Sequence, residues 1–145
     1  MQGGEGNVIV ENECRDDLCA IRCVETIAAR VERNTYETRW FGIHLLRAQD
    51  SLLYRNRAWR TMRAVNVESG TTNRVEKQLA EHCDTGVVVE SDAQATIVTD
   101  SWFHDCRVGA LVWGAGPTSF HGVAVSEPRD HELVTEDKAS VTWNI

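Results

Sequence analysis

The sequence predicts an all-β protein: a parallel β-helix of about six coils, with a period near 22 residues, forming a single domain over residues 1–145. Three observations carry this expectation. Residues 86–106, GVVVESDAQATIVTDSWFHDC, hold three short β-branched or aromatic runs and no helical spacing. A small residue followed by apolar, variable, apolar recurs five times, as Ala20-Ile21-Arg22-Cys23, Gly42-Ile43-His44-Leu45, Ala64-Val65-Asn66-Val67, Gly86-Val87-Val88-Val89 and Gly109-Ala110-Leu111-Val112. Ile9, Val31, Leu53, Val75, Ile97, Phe120 and Val141 form a second apolar column, at spacings of 22, 22, 22, 22, 23 and 21. A β-sandwich also repeats short strands, but it does not keep a near-constant period with a polar residue at fixed phase.

Each coil therefore has three strands, and the coils stack to make three parallel sheets with rungs about 4.8 Å apart. The Ile9 column supplies one inward face. Three residues after it stand Asn12, Asn34, Asn56, Gln78 and Asp100, then Val123 as an exception, then Asn144. A tight bend between sheets calls for a left-handed or bridge backbone, which Asn and Asp tolerate, and stacked amides can bond from rung to rung. Two residues further on, Cys14, Tyr36, Ala58, Ala80, Trp102 and Val125 form the third apolar column. The coil is expected to loosen only at 113–119 and 126–138. The chain opens and closes at one phase without a capping helix. This suggests a segment of a longer β-helix, or ends that pack on another subunit.

Composition narrows the function. The 145 residues are 42% hydrophobic and 26% charged, as in a soluble globular domain. The formal charge is −7, with thirteen Arg against two Lys, which argues against nucleic-acid and anionic-membrane partners. No apolar run reaches membrane-spanning length, and MQGGEGNVIVENE lacks the basic and apolar regions of a signal peptide. The five cysteines, Cys14, Cys19, Cys23, Cys83 and Cys106, are odd in number and irregular in spacing. They read as free thiols, several of them buried, and favour a reducing compartment.

The pattern I-x-x-N … G-[IV]-x-[VL], running from Ile9 to Asn144, resembles the right-handed parallel β-helix repeat of pectate-lyase-like, carbohydrate-active proteins. The resemblance implies a right-handed coil whose substrate lies on the outer face of the first sheet, the one formed by the G-x-x-x strands. The outward column there is Arg22, His44, Asn66, Val88 and Leu111. The turn before it carries Trp40, Arg63, Asp84, Asp105 and Arg107, and the turn after it Arg47, Glu68, Glu90 and Trp113. This set suits an acidic oligosaccharide or polysaccharide and a uronate lyase or epimerase. Arg22, Arg47 and Arg63, with Asn66, would hold the carboxylate. His44 would remove the proton beside it, supported by Glu68 or Asp84. No cofactor is called for, although a carboxylate such as Glu68 could help bind calcium. The sequence lacks the aspartate cluster of a pectate lyase calcium site and the Asp-Pro-His-Asp run of alginate epimerases.

The outer face of a β-helix is also an ordinary solvated surface, where a 22-residue period stacks some charges by chance. The alternative is a non-catalytic structural or interaction β-helix whose copies associate through the coil ends, forming a homo-oligomer. A small-molecule cyclase or isomerase is a third use of the scaffold that nothing in the sequence selects. Arg60, His82 and His104 fall at one phase, beside Cys83, Asp84, Asp105 and Cys106. They read as a structural stack, because Arg60 repels the cation that two imidazoles would otherwise invite.

Overall fold

The computed structural model describes residues 1–136 and 139–144. Among these residues there are seventeen strands and no helix, and the strand pairings are parallel throughout. The second sheet is one seven-stranded ladder: Val8–Val10, Arg30–Glu32, Leu52–Tyr54, Arg74–Glu76, Thr96–Thr99, Thr118–His121 and Val141–Asn144. The expected first and third sheets are both present, and they run together as one ten-stranded sheet. Glu13–Val24 and Thr35–Leu46 run as twelve-residue strands around the corner that the later coils break with a turn. Register shifts around Asp17, next to Asp16 at a φ of 60°, let the first of these strands bend.

The interior is filled by stacked side chains from all three faces. Val31, Leu53, Ile43, Leu45, Val65, Val67, Val75, Val87 and Val89 are fully buried. Each contributes about 1.5–3 kcal/mol relative to its exposed state. Small residues begin the first-sheet strands because large ones from the third face lie against them. A Cβ added at Gly42 would come within 1.9 Å of the Tyr36 ring, and one at Gly86 within 2.6 Å of Phe103.

The expected first-sheet column holds through Val112, and Phe120 and Val125 stand in their columns, but Ile97 and Trp102 each miss theirs by one residue and Val141 by two. Val98 pairs with Val75 and is buried, whereas Ile97 pairs with Arg74 and is 36% exposed. Phe103, not Trp102, continues the Ala80 column. Trp143, not Val141, stacks on Phe120, with ring centroids 4.7 Å apart. At Ile97 and Trp102 the cause is an extra residue in the Ser91-Asp92 turn, where both residues have positive φ. The expected loosening at 126–138 does occur, with a further extra residue within 127–130. Residues 137 and 138 of that stretch lie outside the described residues.

The polar ladder is real but shorter than expected. Asn34 Oδ1 accepts from the Asn12 amide and side chain, both at 2.9 Å, and Asn56 Oδ1 accepts the same pair from Asn34 at 3.0 Å. Gln78 and Ser101 follow in line, the Gln78 amide donating to Ser101 Oγ at 3.1 Å, so Asp100 does not belong to the ladder. Asn144 stands outside it too, paired with His121. Nor are the amides at the left-handed positions. Those positions are one residue earlier, at Glu11, Arg33, Arg55, Lys77, Asp100 and Gly122, with φ between 50° and 61°. Each donates its backbone N–H to a carbonyl on the next rung, which offsets the local strain. The other corners carry their own polar stacks, Ala29-Ser51-Asn73 and Thr38-Thr61.

Candidate functional site

Arg22, His44, Asn66, Val88 and Leu111 stand in register on successive rungs of the first sheet, on its outer face. That face is not open to solvent throughout. His44 is 5% exposed, and Asn66 and Val88 are 0% exposed, because residues at both strand ends fold over them.

Phe41 stacks on the His44 ring at 4.9 Å with 27° between planes, and the Arg63 guanidinium lies 5.8 Å from the centre of the same phenyl ring. Phe41, within the bent strand Thr35–Leu46, is the register partner of Arg63, which begins the next first-sheet strand. From the other strand end, Glu68 Oε2 meets His44 Nε2 at 2.9 Å. Arg63 Nη1 donates to Asn66 Oδ1 and to Glu90 Oε1, both at 2.8 Å, and Asn66 Nδ2 donates to Glu90 Oε1 at 3.1 Å. The result is a small polar cluster outside the barrel of the coil. Burial lowers the His44 pKa below its ordinary value, against the pull of Glu68, and the nearby Arg22 charge pushes the same way. The imidazole is therefore neutral at physiological pH.

Four of the expected site residues are thus brought together: His44, Glu68, Arg63 and Asn66. Arg22 occupies the rung next to His44 and is exposed. Arg47 is not in line with Glu68. The register partner of Glu68 is Leu46, and Arg47 lies one residue beyond, at a φ of 53°, in an ion pair with Glu25 at 2.8 Å. Asp84 is held by Arg107 through two bonds of 2.7 and 3.1 Å, and this guanidinium keeps its carboxyl below the usual range. Nothing links Asp84 to His44 among the described residues. Phe41 was not anticipated. Its outward position in a bent strand breaks the simple alternation that would have revealed it.

Of the expected stack of Arg60, His82 and His104, the first two keep one phase, since Trp59 pairs with Glu81, and His104 departs from it. His104 pairs with Glu81, and His82 faces Asp105, with Nδ1 and Oδ2 2.5 Å apart. Among the described residues no group of three or more His, Cys, Asp and Glu is placed to hold a metal ion. Glu68 and Glu90 are each engaged by a different partner and do not converge on a common point.

Residues 1–125 match the family model described as right handed beta helix region. The chain belongs to the right-handed beta helix family. Among solved structures, this β-helix is similar to the A-module of the mannuronan C-5 epimerase AlgE6 of Azotobacter vinelandii. The identity is 8% and the TM-score 0.29, over 95% of this chain and 57% of that one. Comparison with curated proteins gives no match.

Proposed function

We propose that this β-helix binds an acidic polysaccharide along the outer face of its first sheet and acts on it as a uronate lyase or epimerase. The observation that carries the reading is the His44–Glu68 pair at 2.9 Å, with a neutral imidazole one rung from the exposed Arg22. A neutral imidazole can accept the proton beside a uronate carboxylate, and Glu68 then stabilises the imidazolium formed. Arg22 and Arg63 supply positive charge for the carboxylate. Neither Arg47 nor Asp84 has a part in this arrangement.

The test is a screen against pectate, alginate and glycosaminoglycans, with and without calcium, following the ultraviolet absorbance of unsaturated uronate. NMR of the sugar residues covers epimerisation. Activity that disappears in His44→Ala and falls at least tenfold in Glu68→Gln supports the proposal. Activity that survives both substitutions removes His44 as the base.

A second reading, a non-catalytic structural or interaction segment, is favoured by the closure of the same face. Asn66 and Val88 are fully buried, and Arg63 is already bound to Glu90. No turnover in either assay, together with concentration-dependent association in light scattering, selects this reading.

A further inference from the structure

The outer face of the third sheet carries a line of rings that the first-sheet site does not use. Trp59 and His82 meet edge to face at 4.3 Å, as do His82 and His104 at 6.2 Å, and the His104 and Trp102 rings lie 5.4 Å apart with 34° between planes. Arg60 covers one end, its guanidinium 5.6 Å from the centre of the Trp59 ring. The rings span three rungs, since Trp59 pairs with Glu81 and Glu81 with His104. Trp102 is 44% exposed, yet its indole N–H donates to Ser126 Oγ at 2.8 Å, so the ring is fixed while standing in solvent. An ordered, exposed indole is an unused binding surface whose ordering cost is already met.

Next to this line is a groove of about 320 Å³, lined by Glu13, Arg15, Thr35, Glu37, Arg57 and Trp59 among others. Trp59 belongs to both features. The two arginines of the groove are matched: Arg15 pairs with Glu13, and Arg57 donates to Glu81 at 2.8 and 3.1 Å. Glu37 adds a carboxylate and Arg60 a guanidinium, so the charges around Trp59 balance and offer no surplus positive charge to an anionic ligand. Its fixed ion pairs present hydrogen-bonding edges, and its one indole, Trp59, presents an apolar surface.

We infer that the third sheet is a second binding site, for a neutral oligosaccharide that stacks its pyranose C–H faces on Trp59 and Trp102 and sets its hydroxyls against Arg57, Glu37 and His104. An extended sugar chain suits a row of rings repeated rung by rung. The charge balance sets the ligand apart from the uronate proposed for the first sheet, and the two sites stand or fall separately.

The test titrates cellohexaose, xylohexaose and mannohexaose into the full chain, with hexagalacturonate as the anionic counterpart. Tryptophan fluorescence and indole N–H NMR signals are followed. At least one neutral hexaose should give saturable binding that shifts the Trp59 and Trp102 indole signals. Trp102→Ala and Trp59→Ala should each weaken it at least fivefold, and His44→Ala should leave it unchanged. The inference is overturned if no neutral hexaose moves those indole signals, if binding is indifferent to both tryptophans, or if hexagalacturonate binds this face more tightly.

Discussion

At the scale of single residues, the unusual feature is how many non-glycine residues sit in left-handed backbone. Ala95 isolates the effect, since it is exposed, has a φ of 51° and carries only a methyl group. Ala95→Gly removes the clash of Cβ with the following carbonyl, about 1–2 kcal/mol, and adds unfolded-chain entropy of about 0.5–1 kcal/mol. The variant should be more stable by about 0.5 kcal/mol, read from the urea midpoint at constant m-value. A lower midpoint would mean that the rung-to-rung bonding, not the side chain, sets the energy of the corner. His44 gives a second residue-scale expectation. Its folded pKa lies below the unfolded value of about 6.5, so between those two values the unfolded chain binds more protons. Stability should therefore rise with pH through that window and fall on acidification below about 6.5. The urea midpoint of wild type should show this slope around pH 6, and His44→Gln should flatten it. An unchanged slope in the variant would assign the effect to other groups.

At the scale of the element, the corner ladder ties one coil to the next through side-chain amides and backbone N–H groups. Asn56 accepts from the Asn34 backbone and side chain and donates to the Val31 carbonyl, all in buried surroundings. Asn56→Ala leaves the buried Asn34 backbone N–H without its acceptor and removes two further bonds, to the Asn34 side chain and the Val31 carbonyl; it should cost about 2–4 kcal/mol, by the expense of an orphaned buried donor and the lost bonds. Asn12→Ala, at the exposed end of the same ladder, should cost less than about 1 kcal/mol, because water replaces the lost bonds. Equal losses in urea unfolding would show that the ladder is incidental to the corner. The same corner shows what the sequence could reveal. Asn12, Asn34 and Asn56 were legible because three identical residues at one period leave little choice of phase. The one-residue insertion at Asp92 shows in the sequence as a 23-residue spacing, but one strand too late, since Ile97 stands beside Val98, Asp100 beside Ser101 and Trp102 beside Phe103. Apolar spacing cannot choose between two adjacent apolar residues, whereas a buried column admits only one. The candidate site was legible in part for a related reason. His44, Asn66 and Arg22 follow from strand register alone, and Glu68 from its offset. The enclosure of His44 by Phe41 and the capture of Arg63 by Glu90 depend on side-chain direction at the strand ends, which a period does not encode.

At the scale of the whole molecule, each coil packs chiefly on the coils above and below it, so stability should vary along the axis instead of being shared evenly. The central coils have two neighbours and are sealed: Leu53, Val65, Val67 and Val75 have no exposed surface. Among the described residues, Val8–Val10 pairs only with Arg30–Glu32, and Val141–Asn144 only with Thr118–His121. Val8 is 61% and Val10 38% exposed. Native-state hydrogen exchange should therefore rank the amides of Val65–Val67 and Val87–Val89 as the most protected and those of the two outer strands as the least. A gap of about 3 kcal/mol, roughly a hundredfold in protection, is the expected size, since every 1.4 kcal/mol is tenfold. Uniform protection along the axis would overturn this and make the chain a single cooperative unit. Repeating the measurement at rising protein concentration separates the two functional readings. If copies associate through their coil ends, protection should rise at Val8–Val10 and Val141–Asn144 while Val65–Val67 stays constant, because only the outer rungs gain a neighbour. A monomer that acts on polysaccharide should keep its gradient at every concentration. Its ligand should instead slow exchange along the first-sheet strands that carry His44 and Asn66, leaving the ends as they were.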